Sequence, residues 1–329
     1  MAPSRAFELV AISLTSLLWM SCNVGRWRAL SPEQRDRWRQ RTPPCCSWDS
    51  ASYADKNCAR DVRSLVRAAF ETGSGRFFSA APRALVPVGG NGCACNASRE
   101  PLLSMQWESA PGCSLRRWSA KSFCRTLGAR RLLFLGDSVM QQLASVAMNA
   151  VAWDDGGCAH QLVFGASDTL ISARMGASNR GEHWLRWVDA VAPDVVVLGA
   201  TAHVYGDGNF SRVLEEVARD ARARPALTVI WATSTPGGCG KAPLATVHRG
   251  VDRSAFFNWG EFLARDAVAK AFFARQGAQF RVLDLEPLHY RQDAHVAEDD
   301  CLHLCIPGPL NAIVPPLLTR VLGGFSSVK

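Results

Sequence analysis

The sequence has no Lys/Arg block, no internal repeat, no low-complexity tract and no C-x2-C or H-x3-H pair. Each absence removes a class of function. The 37 Lys and Arg residues exceed the 29 Asp and Glu residues and give a formal charge of +8. The arginines are nonetheless scattered over the whole length, which reads as a solvated surface rather than a phosphate-binding stripe, so no nucleic acid is expected as partner. Cys93-x-Cys95 and Cys301-x-His303-x-Cys305 lack the spacing that gathers tetrahedral zinc ligands, and no metal site is expected. Only 3 tyrosines accompany 11 tryptophans. Tryptophan rings suit stacking on sugar faces, yet most such rings fill cores. Trp107, Trp118, Trp184, Trp187, Trp231 and Trp259 are therefore read as packing. At 329 residues the chain can bury the core of one large domain or two modest ones.

No apolar run reaches the ~20 residues of a comfortable membrane span. The run that comes nearest, Leu9 to Met20, follows Arg5 and is interrupted by Ser13, Thr15 and Ser16. It resembles the core of a signal peptide, although thin early-secretory membranes accept shorter anchors. No small-x-small cleavage site follows, so residues 1–22 are a cleaved signal or a signal anchor, with 6–20 as the membrane-anchoring part. The stretch "RWRALSPEQRDRWRQRTPP" then reads as a polar stem over 23–44. The expected location is the secretory pathway: a Golgi membrane with the catalytic part in the lumen, or secretion as the alternative. Twelve cysteines agree with that compartment, and seven of them crowd between Cys45 and Cys124, where hydrophobic periodicity is weak and cross-links would help. Spacing does not give their connectivity. The sequons Asn96-Ala-Ser98 and Asn209-Phe-Ser211 would be usable in a lumen.

From Arg131 onward short apolar runs alternate with amphipathic stretches, the pattern of a parallel sheet covered by helices. Strands are expected at 131–135, 161–164, 194–200, 227–233 and 280–285. Helices are expected at about 138–150, 183–191, 210–223 and 254–276, with a closing one after Pro307. The fold class is thus α/β, a three-layer doubly wound parallel sheet over 129–329, with a cysteine-rich N-terminal region, 45–128, packed on it. Ligands of such sheets lie beyond the carboxyl ends of the strands. Those ends carry Gly136-Asp137-Ser138, Gly165 to Asp168, "ATAHVYGDG" at 200–208, "TSTPGGCGK" at 233–241 and the stretch 286–308.

Ser138 follows a tight glycine turn at the start of a helix. A hydroxyl there projects into the rim while nearby backbone N–H groups can hold an oxyanion, which suits a nucleophile. The plain alternative is helix capping by Asp137 or Ser138. A nucleophilic serine needs a base and an orienting acceptor, and Asp300-Cys301-Leu302-His303 offers both, with Asp299 as a competing orienter.

Four stretches, "LLFLGDSVMQQL", "DVVVLGATAHVYG", "YRQDAH" and "DCLHLCIPGPL", stand in an order and spacing similar to those of the PC-esterase family. That family lies in the SGNH/GDSL-like acyl-esterase clan and includes plant trichome-birefringence-like polysaccharide O-acetyltransferases and fungal capsule O-acetylation proteins. The resemblance covers roughly 107–322. It implies that Ser138 is the acyl-accepting nucleophile, His303 the general base and Asp300 its orienter. It further implies that an acyl group, usually acetyl, passes through Ser138 to a polysaccharide or glycan hydroxyl. No bound cofactor is implied, and an acyl donor such as acetyl-CoA would be a substrate. Gly136, Asp137, Gly165 and His203 become the oxyanion or rim residues. Arg291, Asp293 and His295 match the family's R-x-D-x-H stretch, as a brace of the catalytic loop or as a substrate contact. Gln141 stands where the family often has Arg, and Thr201-Ala202-His203 stands where simple SGNH hydrolases carry Gly-x-Asn-Asp. The last difference favours acyl transfer over the alternative, a carbohydrate acyl-esterase of the same fold. A catalytically silent glycan-binding protein is a further alternative. Cys239 and Cys305, both on rim loops, are a candidate disulfide.

Overall fold

Five buried parallel strands form the centre of the molecule because their sequences are apolar on both faces. The computed structural model describes residues 25–41, 78–79, 105–109, 118–154, 157–171, 183–238, 257–295, 300–306 and 308–324. In chain order the parallel strands are β4 (Leu132–Gly136), β5 (Leu162–Ala166), β6 (Val195–Gly199), β7 (Thr228–Ala232) and β8 (Phe280–Leu283). Every residue of "LLFLG" and "VVVLG" in β4 and β6 is buried, as expected for strands covered by helices on both sides. The spatial order is β5-β4-β6-β7-β8, with a two-residue strand, β2 (Phe78–Ser79), added antiparallel on the outer edge of β5. Leu132 faces Leu162 on one side and Val195 on the other, which sets the register of the three central strands.

Alternate residues of each strand supply two separate cores. Leu132, Phe134, Phe164, Val197 and Ile230 point to one face, where helices α2 (Ala120–Leu127), α3 (Ser138–Trp153) and α7 (Pro309–Gly323) cover them. Leu133, Leu135, Val196, Leu198 and Trp231 point to the other, under α4 (Trp184–Val191), α5 (Asp207–Arg222) and α6 (Phe262–Ala274). Three layers follow from this period of two within the strands. The expected strands and helices are all present with shifted ends. The second strand begins at Leu162 because Gln161 belongs to a 3-10 turn, and the long helix expected from 254 begins at Phe262 after a 3-10 turn, 259–261.

Two features were not anticipated. Residues 25–29, within the segment read as a stem, form β1 (Gly25–Ala29) and pair antiparallel with β3 (Met105–Ser109), followed by helix α1 (Pro32–Arg41). Arg26 and Arg28 meet Glu108 on the exposed side of this ribbon at 3.3 and 3.0 Å. Trp27 and Trp107 face the opposite way and pack edge to face, with ring centroids 5.7 Å apart, against the core under α3 and α7. The second feature is a Cys124–Cys158 disulfide, which joins α2 to the turn before β5 across 34 positions. By the loop-closure argument such a link adds on the order of 3–4 kcal/mol. α2 also lies in the same core as α3 and α7, so residues 120–127 belong physically with the α/β body. Cys301 and Cys305 are each disulfide-bonded as well. Cys239, its sequence-proposed partner, lies outside the described residues, as do residues 1–22 and Asn96. Among the described residues no helix is long and apolar enough to cross a membrane.

Candidate active site

The five-strand order is 2-1-3-4-5 in sequence terms, so the chain reverses its winding between β4 and β6, where such sheets open a crevice. Ser138 sits at the carboxyl end of β4 and the loop 200–206 at the end of β6, on the two sides of that crevice. The turn between β4 and α3 is tight for a steric reason. A Cβ on Gly136 would lie 2.2 Å from the Gly199 carbonyl oxygen and 2.4 Å from Met140 Cγ. Only glycine allows β4, β6 and α3 to meet so closely.

Asp137 is the N-cap of α3, and its Oδ1 accepts the N–H groups of Val139 at 3.0 Å and Met140 at 3.3 Å. Both readings of the Gly-Asp-Ser turn therefore hold at once: Asp137 caps, and Ser138 is left to do something else. The cap takes two of the N–H groups expected to face an oxyanion, while the N–H of Ser138 itself is not used by it. Burial pushes the Asp137 carboxyl above its ordinary range, with the Asp168 charge adding to the push; the His203 charge and the two N–H bonds only partly offset it.

Ser138 Oγ lies 2.7 Å from His303 Nε2, across 165 positions of sequence. His303 Nδ1 lies 2.9 Å from Asp300 Oδ2 and 3.1 Å from Oδ1. Asp300 Oδ1 also accepts the N–H of His303 at 3.0 Å and that of Leu302 at 3.2 Å, so the carboxylate is held by the turn that carries the histidine. Burial alone would raise the Asp300 pKa, but the His303 backbone bond, the His303 charge and side chain, and the Leu302 N–H outweigh it and hold it below the usual value. The His303 and Asp300 side chains keep 14% and 21% of their surface exposed, so the trio is open at the rim. Hydroxyl, imidazole and carboxylate thus stand in line with hydrogen-bonding distances throughout, the arrangement in which the imidazole can take the serine proton and the carboxylate holds its other nitrogen. Asp299, the competing orienter, lies outside the described residues.

The remaining sequence-derived residues divide. His203 is half-buried on the loop after β6, its ring 5.4 Å from that of Phe257, edge to face. It lies close enough to Asp137 for their charges to interact. Gly165 is inside β5, and a Cβ there would lie 2.6 Å from the Trp187 ring, so packing under α4 accounts for it. Gln141 is half-exposed on the first turn of α3.

Arg291, Asp293 and His295 are all buried, at 0%, 6% and 3% exposure. Arg291 Nε and Nη2 donate to the two carboxylate oxygens of Asp293 at 2.9 and 3.0 Å. The guanidinium also lies 4.9 Å from the Trp27 ring centre, and Trp27 Nε1 donates to the Pro287 carbonyl at 2.8 Å. Trp27 of β1 thereby covers the Arg291–Asp293 pair. His295 Nε2 stands 3.1 Å from the Pro236 carbonyl, and burial holds its pKa down. Gln292 Nε2 donates to the Gly237 carbonyl, and the Gly238 N–H donates to the Cys301 carbonyl, both at 2.8 Å. Gly237 is a packing requirement too, since a Cβ there would strike Trp259 at 2.4 Å. None of these cross-loop contacts has a local sequence signal.

The chain matches no family model and no curated protein. Among solved structures it is similar to a GDSL-like lipase from Bacteroides thetaiotaomicron, at 14% identity and a TM-score of 0.37, over 59% of this chain and 87% of that one. It is also similar to a family 3 carbohydrate esterase from Clostridium thermocellum, at 12% identity and a TM-score of 0.36, over 59% of this chain and 99% of that one. A third likeness, to an L-threonine dehydrogenase from Phytophthora infestans, has a TM-score of 0.25 at 16% identity over 46% of this chain and 52% of that one. Likenesses this distant carry no argument about chemistry, which rests on the site itself.

Proposed function

We propose that the protein is a serine-dependent acyl-transfer enzyme in which Ser138 is the nucleophile, His303 the general base and Asp300 its orienter. The observation that carries this reading is the continuous line from Ser138 Oγ through His303 to Asp300, at 2.7 and 2.9 Å. Ser138 Oγ attacks the carbonyl carbon of an acyl donor as its proton passes to His303 Nε2. The leaving group departs with that proton, and an ester of Ser138 remains. Asp300, which stays ionised, accepts the Nδ1–H bond and stabilises the imidazolium that forms. The Ser138 N–H at the amino end of α3 is placed beside the developing oxyanion. In the second half an acceptor hydroxyl loses its proton to Nε2 as its oxygen attacks the acyl carbon, and Ser138 Oγ leaves, taking that proton back from Nε2.

Within that class the protein is read as an O-acetyltransferase of the PC-esterase kind, acting on a polysaccharide or glycan in the secretory pathway, with a donor such as acetyl-CoA. The four motifs and their spacing support this finer reading. The rim position of His203, where simple hydrolases carry an asparagine, also supports it. The test is turnover of a chromogenic acetate ester by the full chain and by Ser138→Ala, with and without a panel of oligosaccharides, followed by mass spectrometry of the sugars. Acetyl on a sugar, dependent on Ser138, is the expected result. Acetate released only to water makes the protein an esterase, and equal behaviour of the two chains sinks the nucleophile assignment.

A further inference from the structure

The base and the nucleophile reach each other from elements far apart in sequence, so something must set the height of the catalytic loop against α3. The loop's bonds to the segment 291–295 and to the loop after β7 do not do this. His295 pairs with Leu304 as an isolated bridge, Cys305 N donates to the Ala294 carbonyl, and Gly238 N donates to the Cys301 carbonyl. All three tie the loop to its own side of the crevice.

Gln142 ties it to the other side. It lies one helical turn after Ser138, on the same flank of α3. Its Nε2 donates to the Leu304 carbonyl at 2.8 Å, and the Leu304 N–H donates to its Oε1 at 3.1 Å. The carboxamide thus satisfies both backbone groups of one residue, as a neighbouring strand would. Gln142 is 4% exposed and Leu304 fully buried, so water does not substitute for either bond. Leu304 directly follows His303. The two bonds therefore span 162 positions and join a point one turn from the nucleophile to a point one residue from the base.

Resting on the proposed roles of Ser138 and His303, we infer that Gln142 is a positioning residue that holds His303 Nε2 in line with Ser138 Oγ. The competing account is that Gln142 merely satisfies two buried backbone groups. Each account makes a separable prediction. If the clamp only stabilises, its loss lowers the melting temperature and leaves turnover alone. If it positions the base, its loss lowers kcat and the reactivity of Ser138, with KM little changed, because a displacement of the loop by about 1 Å can cost about 100-fold in rate.

The experiment uses the full chain and two variants. Gln142→Met keeps the shape and removes both bonds. Gln142→Glu keeps an acceptor but sets a carboxylate against the Leu304 carbonyl; once protonated, that carboxyl donates and accepts as the amide does. The readouts are kcat and KM on a chromogenic acetate ester, the rate at which a fluorophosphonate probe labels Ser138, and the melting temperature. Gln142→Met is expected to lower kcat and the labelling rate together by about 10- to 100-fold, with KM within about 3-fold. The rate of Gln142→Glu relative to wild type is expected to rise as the pH falls toward the ordinary glutamate range, about 4.3. A folded Gln142→Met chain that labels as fast as wild type overturns the inference alone. If that variant does not fold, a folded Gln142→Glu chain whose rate relative to wild type is flat with pH overturns it. A wild type that does not label overturns the reading of Ser138 and this inference with it.

Discussion

Two groups of serine, histidine and aspartate lie near the carboxyl ends of the strands, and they do different things. At the rim, His303 stands between Ser138 and Asp300. Behind it, Ser234 donates its hydroxyl straight to Asp266 Oδ2 at 2.6 Å, and its N–H to Oδ1 at 2.9 Å. His289 Nε2 lies 3.3 Å from that hydroxyl and 3.6 Å from Asp266 Oδ2, and it donates to the Ser234 carbonyl, which can only accept, at 3.0 Å. That nitrogen carries its proton toward a carbonyl and is not available as a base to the hydroxyl. Exposure separates them as well: Ser234, Asp266 and His289 are buried, at 6%, 3% and 3% exposure, whereas His303 and Asp300 are partly open. Residue type is the same in both groups. The order of contacts and the exposure differ, and they support the proposed chemistry at the rim group and a structural place for the other at the end of β7.

The sharpest way to break this comparison is to remove the rim groups. Ser138→Ala and His303→Ala should each lower turnover of an acetate ester by ~10⁴ or more, and Asp300→Ala by a smaller factor, since it leaves the base in place. Near-wild-type rates in either of the first two would end the assignment. In the buried group, Ser234→Ala should leave kcat within about 10-fold and instead cost about 1–3 kcal/mol of stability, measured by urea unfolding, because Asp266 is left short of donors. A Ser234→Ala chain that folds normally and is inactive would mean that the two groups had been assigned the wrong way round.

A smaller effect is expected at Trp27, which touches neither group. Trp27→Ala removes the ring beneath the Arg291 guanidinium and should lower stability by about 2 kcal/mol, with Trp27→Phe recovering part of it. A melting temperature unchanged in Trp27→Ala would return residues 25–29 to the role of a stem. The smallest effect concerns pH. Asp300 is held below its ordinary pKa in the folded chain, so its ionic bonds stabilise fully above the unfolded value near 3.9 and are lost as the pH falls through the folded value. Wild type should therefore exceed Asp300→Asn in urea midpoint at pH 7, with the gap closing below about pH 4. A gap that persists undiminished well below about pH 4 would contradict an ionic role for Asp300 in the folded chain.

Much of the molecule was legible beforehand for one reason. β4, β6 and β7 are short apolar runs between amphipathic stretches, and the rule that ligands sit at strand ends brings 136–138 and 300–308 to one rim without knowledge of any contact. Asp300 and His303 were legible as a pair because they sit on one turn, three residues apart. The ribbon β1–β3 was not, because its partners are separated by about 80 residues and "GRWRA" looks like charged linker until Trp27 has somewhere to pack. Gln142 was not legible either: it shares its flank of α3 with Ser138, Ser145 and Asn149, and only the position of Leu304 explains it.

Local pattern and residue chemistry in this sequence determined the layered α/β sheet, the rim, and a serine, histidine and aspartate able to work together, since each of these depends on neighbours within a few positions. The tertiary structure alone decided which serine faces a histidine, that Trp27 packs on the buried Arg291 guanidinium, and that Gln142 of α3 bonds both backbone groups of Leu304. Those are contacts between segments some 160 to 260 positions apart, and their energies depend on burial and alignment that exist only once the chain has closed.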